Sequence, residues 1–141
     1  MSLEHNKTIV HRLLDQVYTQ GKVAAIDELI AEAYVGHRPL PGQPPGRVGF
    51  HYAMRQLRTA FPDHQVTIDD MIAEGDLVAI RVTARGTQQG LFLGISPSGK
   101  HAVWTGMLVL RIEDSKVTDI WNVWDALGMF QQLGHLPKPT A

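Results

Sequence analysis

A carboxylate closes the run WNVWD, residues 121–125, immediately before ALGMFQQLG, residues 126–134. The Trp and Val residues before Asp125 read as a strand, and the residues after it read as a short helix. A carboxylate beside such an apolar run is costly to bury unless it is hydrogen-bonded or protonated. Asp125 is therefore the first candidate for a general acid/base at the mouth or floor of an apolar cavity. Loss of surrounding water would raise its pKa toward neutrality and improve it as a base. Trp104, Trp121 and Val123 are suited to supply that dry environment. The same position also suits a helix N-cap, because aspartate accepts readily from the N–H groups of a first helical turn. The two roles are compatible.

The seven histidines are the other groups that titrate near neutrality. His37 opens a proline- and glycine-rich loop, where it can polarise a carbonyl, share a proton with Asp125, or brace the loop. His51 lies beside Phe50 on a helix and reads as solvated. His64 and His101 flank strands and read as structural or exposed. His5, His11 and His135 lie near the ends. No HxxxH or HExxH spacing occurs, so no metal site is expected. The phosphate-binding glycine motifs and the GxSxG elbow are absent too. No cysteine is present, which excludes disulfides and thiolate chemistry.

The elements that position these groups follow from hydrophobic period. Ile9, Val10, Leu13, Leu14 and Val17 predict a helix over about 4–20, stopped at Gly21. Ile26, Leu29, Ile30 and Ala33 predict a second over about 22–33. The stretch GHRPLPGQPPGRVG, residues 36–49, holds four prolines and four glycines and reads as an ordered loop or lid. Phe50, Met54, Leu57 and Phe61 mark a third helix over about 48–61, ended by Pro62. The period then changes to two. Residues 66–72 and 77–85 form one predicted hairpin, around Glu74-Gly75-Asp76. Residues 101–112 and 116–125 form another, around Asp114-Ser115. Counting back from that turn sets Trp104 opposite Asp125, Gly106 opposite Val123, and Leu108 opposite Trp121, all on one face. A bulge would shift this register. Both faces of the hairpin are apolar, so one should pack on the helices and the other on a second copy of the chain.

These segments, in this order, resemble the SnoaL-like polyketide cyclase family, also called ester cyclases, of the nuclear transport factor two-like superfamily. The resemblance rests on GHRPLPGQPPGRVGF (36–50), AFPDHQVTIDDMIAEGDLVAIRVTARGTQQGLFLGISPSGK (60–100) and WNVWDALGMFQQLG (121–134). It implies one α+β domain over residues 1–141. That domain is a cone-shaped fold of three N-terminal helices packed on a curled antiparallel sheet, with a short C-terminal helix. It implies a cofactor-independent enzyme that binds a hydrophobic carbonyl compound in the cone and closes a ring by aldol chemistry. Asp125 matches the family's acid/base position, and His37 matches a frequent histidine. Phe50, Met54, Trp104 and Trp121 become substrate-binding candidates on the same ground.

Two other classes stay open. The cone could serve as a non-catalytic ligand-binding or dimerisation domain, with Asp125 as a cap. It could also serve an isomerase, or a hydrolase in which the same Asp activates water. A formal net charge of −1 gives no support to nucleic-acid or anionic-membrane binding. No run approaches a membrane span, and the start MSLEHNKTIV lacks a leader's apolar segment, so a cytoplasmic homodimer is expected.

Overall fold

Ile9, Val10, Leu13, Leu14 and Val17 are all buried, as their helical spacing predicts. The computed structural model of the protein describes residues 2–135. Helix α1, Leu3–Arg12, starts under the Ser2 hydroxyl, which accepts from His5 N. It runs on as a π-helical stretch, Leu13–Thr19. Helix α2 is Val23–Leu29. The predicted second helix extends to residue 33, but Ile30 already has extended backbone, and Ile30–Gly36 is strand β1. Helix α3 covers Gly46–Ala60, and Pro62 follows its end. Strands β2 (Gln65–Glu74), β3 (Leu77–Thr87), β4 (His101–Glu113) and β5 (Lys116–Trp124) complete the sheet. Helix α4, Ala126–Leu133, closes the described chain.

The expected curled antiparallel cone is corrected here. The five strands form one open sheet in the order β1-β5-β4-β3-β2. It is also mixed, because β1 pairs parallel with β5 while the other pairs are antiparallel. β1 and β2 are opposite edges and do not meet. A bulge between Ile68 and Asp70 interrupts β2. The carboxylates of Asp69 and Asp70 on that strand pair with Arg81 of β3. Charge and a bulge on an edge both oppose further pairing. What does hold is an α+β arrangement with helices packed on a sheet and a short C-terminal helix.

The expected register of the β4–β5 hairpin is also corrected. Asp114 and Ser115 have φ of 52° and 63°, the backbone of a type I′ turn, and Glu113 pairs with Lys116 as predicted. The register then slips between Arg111 and Ile112. Ile112 faces Val117, but Arg111 faces Asp119, which leaves Thr118 as the extra residue. Beyond it Leu110 pairs with Ile120, Leu108 with Asn122, and Gly106 with Trp124. A slip of one residue moves every later side chain to the other face. Asn122 and Trp124 therefore share the buried face of Trp104, Leu108 and Leu110, while Trp121 joins the outer face beside Val109.

The main core lies between that inner face and the helices, and it includes Leu13, Ile26, Phe50, Ile80 and Leu110. A second cluster joins Phe61, Ala84, Phe92, Trp104, Met129 and Leu133, which ties α4 to the sheet.

Candidate functional site

Both clusters contribute to the wall of an apolar cavity of about 280 Å³. That is just below the ~300–1,000 Å³ typical of ligand pockets. Phe50, Met54 and Leu57 come from one side of α3, Trp104 from β4, and Ile120, Asn122 and Trp124 from β5. Phe92 and Leu93 add the loop before β4, and Arg38, Leu40 and Gln43 add the proline-rich loop. Gly106 lets the wall form. A side chain there would collide with the Trp124 indole, which lies directly over the glycine of the neighbouring strand.

Polar groups converge on this space. Tyr18 and Tyr34 line it, each ring edge-on to Phe50 with centroids 6.1 and 5.4 Å away. Burial pushes both phenols far above their ordinary pKa, and for Tyr34 the neighbouring Tyr18 and Asp119 add to the effect. Both hydroxyls stay protonated at neutral pH and are available as donors to an oxygen on a ligand. Neither hydroxyl has a hydrogen-bond partner among the described residues, and both residues line the cavity. Asn122 lines the cavity too, and its amide has no partner among the described residues.

His64 lines the cavity as well, and it is only 2 % exposed. Its Nδ1 is 2.8 Å from the Tyr18 carbonyl oxygen. That carbonyl sits in the last turn of the π-helical stretch, where backbone acceptors lack onward N–H partners. Arg58 Nη1 donates to the same oxygen at 3.1 Å and to Thr19 O at 3.0 Å. Burial drives the His64 pKa down. The Tyr18 bond partly opposes this, and the Arg58 charge adds to the depression. His64 is therefore neutral at pH 7. Nothing local in the sequence marks it, because Tyr18, Arg58 and Trp104 reach it from three separate elements.

The other candidates fall in different places. Phe50, Met54 and Trp104 are cavity residues. Asp125 lies between two of them, Trp124 and Ala126, but its side chain is exposed and outside the lining. Its Oδ1 accepts from Gly128 N at 2.9 Å and caps α4. His37 and Trp121 lie together on the outer face, stacked at 4.3 Å and within 9° of parallel. His37 Nε2 is 3.0 Å from Asp119 Oδ2, and the Arg111 guanidinium is 5.3 Å from the centre of the Trp121 ring. Partial burial pushes the Asp119 carboxyl up, but hydrogen bonds from His37 and Thr118 and the Arg111 charge hold it below the ordinary range. The structure thus separates His37 and Trp121 from the cavity that Phe50, Met54 and Trp104 enclose. Among the described residues, no group of three His, Asp or Glu side chains is arranged to hold a metal ion.

The family model of the SnoaL-like polyketide cyclases matches residues 8–133. The chain belongs to that family. With it comes membership of the nuclear transport factor two-like superfamily. Among curated proteins, this SnoaL-like chain is 27% identical over 136 residues to the aklanonic acid methyl ester cyclase DauD of Streptomyces sp. (strain C5), covering 94% of this chain and 83% of DauD. Its likeness to the cyclase of the same description from Streptomyces peucetius, DnrD, is also 27% over 136 residues, covering 94% and 92%. Among solved structures, TsrD from Streptomyces laurentii superposes with a TM-score of 0.88 at 28% identity, covering 96% of this chain and 99% of TsrD. IdmH from Streptomyces antibioticus gives 0.78 at 31% identity, covering 92% and 98%. No described helix is long and apolar enough to cross a membrane.

Proposed function

We propose that this SnoaL-like chain binds a hydrophobic carbonyl compound in its cavity and catalyses proton transfer on it with its own side chains, in an aldol-type ring closure. The observation that carries this reading is the cavity itself. It is apolar, yet Tyr18, Tyr34 and Asn122 line it with donors that have no partner among the described residues. Such donors suit the oxygen of an enolate or alkoxide, which gains charge as a C–C bond forms. The two Streptomyces relatives are named for cyclisation of aklanonic acid methyl ester, which makes that ester the first to assay.

Asp125 is the acid/base group to test at the mouth, since both its chain neighbours line the cavity. Asp125→Asn keeps a capping oxygen but removes the charge. Lost turnover of a polyketide methyl ester at unchanged melting temperature would support the role. Full turnover would remove it. The exposure of Asp125 and its bond to Gly128 favour a second reading, a ligand-binding domain without chemistry. Tight binding of the ester with no product from the wild-type chain would support that reading. Isomerisation and hydrolysis use the same groups and would appear as different products in the same assay.

Dimerisation is part of the proposal. Val103, Met107 and Val123 are more than 40 % exposed on the outer sheet face, an apolar surface that a second copy would cover. Sedimentation of the wild type against Met107→Asp tests this, and a monomeric wild type would refute it.

A further inference from the structure

Among the described residues, no carboxylate lines the cavity, while one nitrogen base does. A carbonyl oxygen only accepts, so the 2.8 Å contact to Tyr18 O places the hydrogen of His64 on Nδ1. The lone pair is then on Nε2. That nitrogen has no hydrogen-bond partner among the described residues. His64 lines the cavity. A buried imidazole with one nitrogen tied to the backbone and the other unpartnered beside a cavity is a fixed proton acceptor.

We propose that His64 Nε2 is the proton acceptor of this cavity, and that the ligand presents it an acidic C–H or O–H on an apolar frame. The proposal rests on the cavity being the reaction site. In the ring closure, Nε2 takes a proton from the carbon next to a carbonyl. The C–H electron pair becomes the enolate C=C, and the carbonyl pair moves onto its oxygen, which accepts from a tyrosine hydroxyl. The enolate oxygen pair then restores the first C=O, the C=C pair forms the bond to a second carbonyl carbon of the same molecule, and that carbonyl's π pair moves onto its oxygen as an alkoxide. That alkoxide takes the proton back from Nε2, so His64 ends neutral and no other reactant is consumed.

The groups packed around the ring fix how strong a base it is. Tyr18 holds Nδ1 from the π-helical stretch. Arg58 of α3 reaches the His64 backbone oxygen at 3.5 Å, and the Trp104 ring of β4 lies 6.0 Å from the imidazole. Asp63 is next in the chain, but its carboxylate is committed to Thr87 N and Oγ1, at 2.7 and 2.8 Å. Burial and Arg58 disfavour the imidazolium, and the Tyr18 carbonyl and Asp63 only partly offset them. A base of this strength is matched to a carbon acid activated by two carbonyls or to a phenol, not to a simple ketone.

The test has two arms on the full chain. In the first, 2-naphthol is titrated into histidine-15N protein and followed by long-range 1H–15N spectra. The expected result is a Nδ1–H tautomer at His64 whose Nε2 signal moves on binding. An Nε2 that stays fixed while naphthol fills the cavity overturns the proposal. In the second, His64→Asn keeps an amide donor near the Nδ1 position and removes the acceptor. Turnover of an aromatic polyketide methyl ester should fall about 10²–10⁴-fold in kcat/KM, with the acid limb of the pH profile lost. Turnover equal to wild type with the acid limb intact overturns the proposal. A wild type that shifts Nε2 with naphthol but turns over no ester removes the cyclase reading and leaves the acceptor standing. Should His64→Asn not fold, the first arm decides alone.

Discussion

Each face of the β4–β5 hairpin sets a tryptophan against a histidine, Trp104 against His64 inside and Trp121 against His37 outside. The residue types match, but the surroundings do not. Inside, the ring loses its water and meets a backbone carbonyl, and burial together with the Arg58 charge keeps it uncharged. Outside, the ring meets the Asp119 carboxylate, which Arg111 and Thr118 also hold, so its Nε2 is already committed. A histidine next to a tryptophan thus says little about chemistry. The oxygen it meets and the water it loses decide what it can do.

The two faces should differ most in what a truncated side chain costs. Leu110→Ala on the inner face should cost about 2–5 kcal/mol, because that side chain is fully buried. Met107→Ala on the outer face, where the side chain is 62 % exposed, should stay within about 0.5 kcal/mol for the monomer. Urea denaturation of both variants checks this, and equal losses would mean the outer face is buried in solution. A smaller effect belongs to Asp125, where the strand hands over to α4. Asp125→Ala should lose about 1 kcal/mol, while Asp125→Asn stays near wild type. Equal losses in thermal melts would mean the carboxylate does more than cap.

The smallest effects are separated by pH. The His64 pKa is lower in the folded chain than in the unfolded one, so below about 6.5 the unfolded chain takes up the proton first. Stability should therefore fall as pH drops from about 6.5 toward the folded value, and His64→Asn should flatten that limb. Asp119 is also depressed, from an unfolded value near 3.8. Its contribution is present above that value and is lost as pH falls through the lower folded one, and Asp119→Asn should flatten only that limb. Melting temperature against pH for the two variants checks both. A single shared window would show that the two faces are not electrostatically distinct.

Alternation made the strands legible. Val78, Ile80, Val82 and Ala84 are all buried, as their spacing implies. So did the Asp114-Ser115 turn and the Pro62 stop. β1 was hidden because IAEAYVG continues the helical spacing of Ile26 and Leu29, and only pairing with β5 makes it a strand. The open sheet was hidden because closure depends on whether two edges meet, which no local pattern records. Phe50, Met54 and Trp104, which line the cavity, were candidates through the family resemblance and not through their spacing. His64 was not, since its character comes from Tyr18 and Arg58, which are 46 and 6 residues away in the chain.

Thr118 has a consequence for comparing chains of this kind. A strand read two residues at a time has a parity, and this single extra residue switches the parity of everything after it in β5. A relative lacking it between the turn and the cavity would present its counterpart of Trp121 to the cavity, and would turn Asn122 and Trp124 outward. A one-position gap in this strand therefore exchanges the whole chemical inventory of one wall, even where every aligned letter is the same.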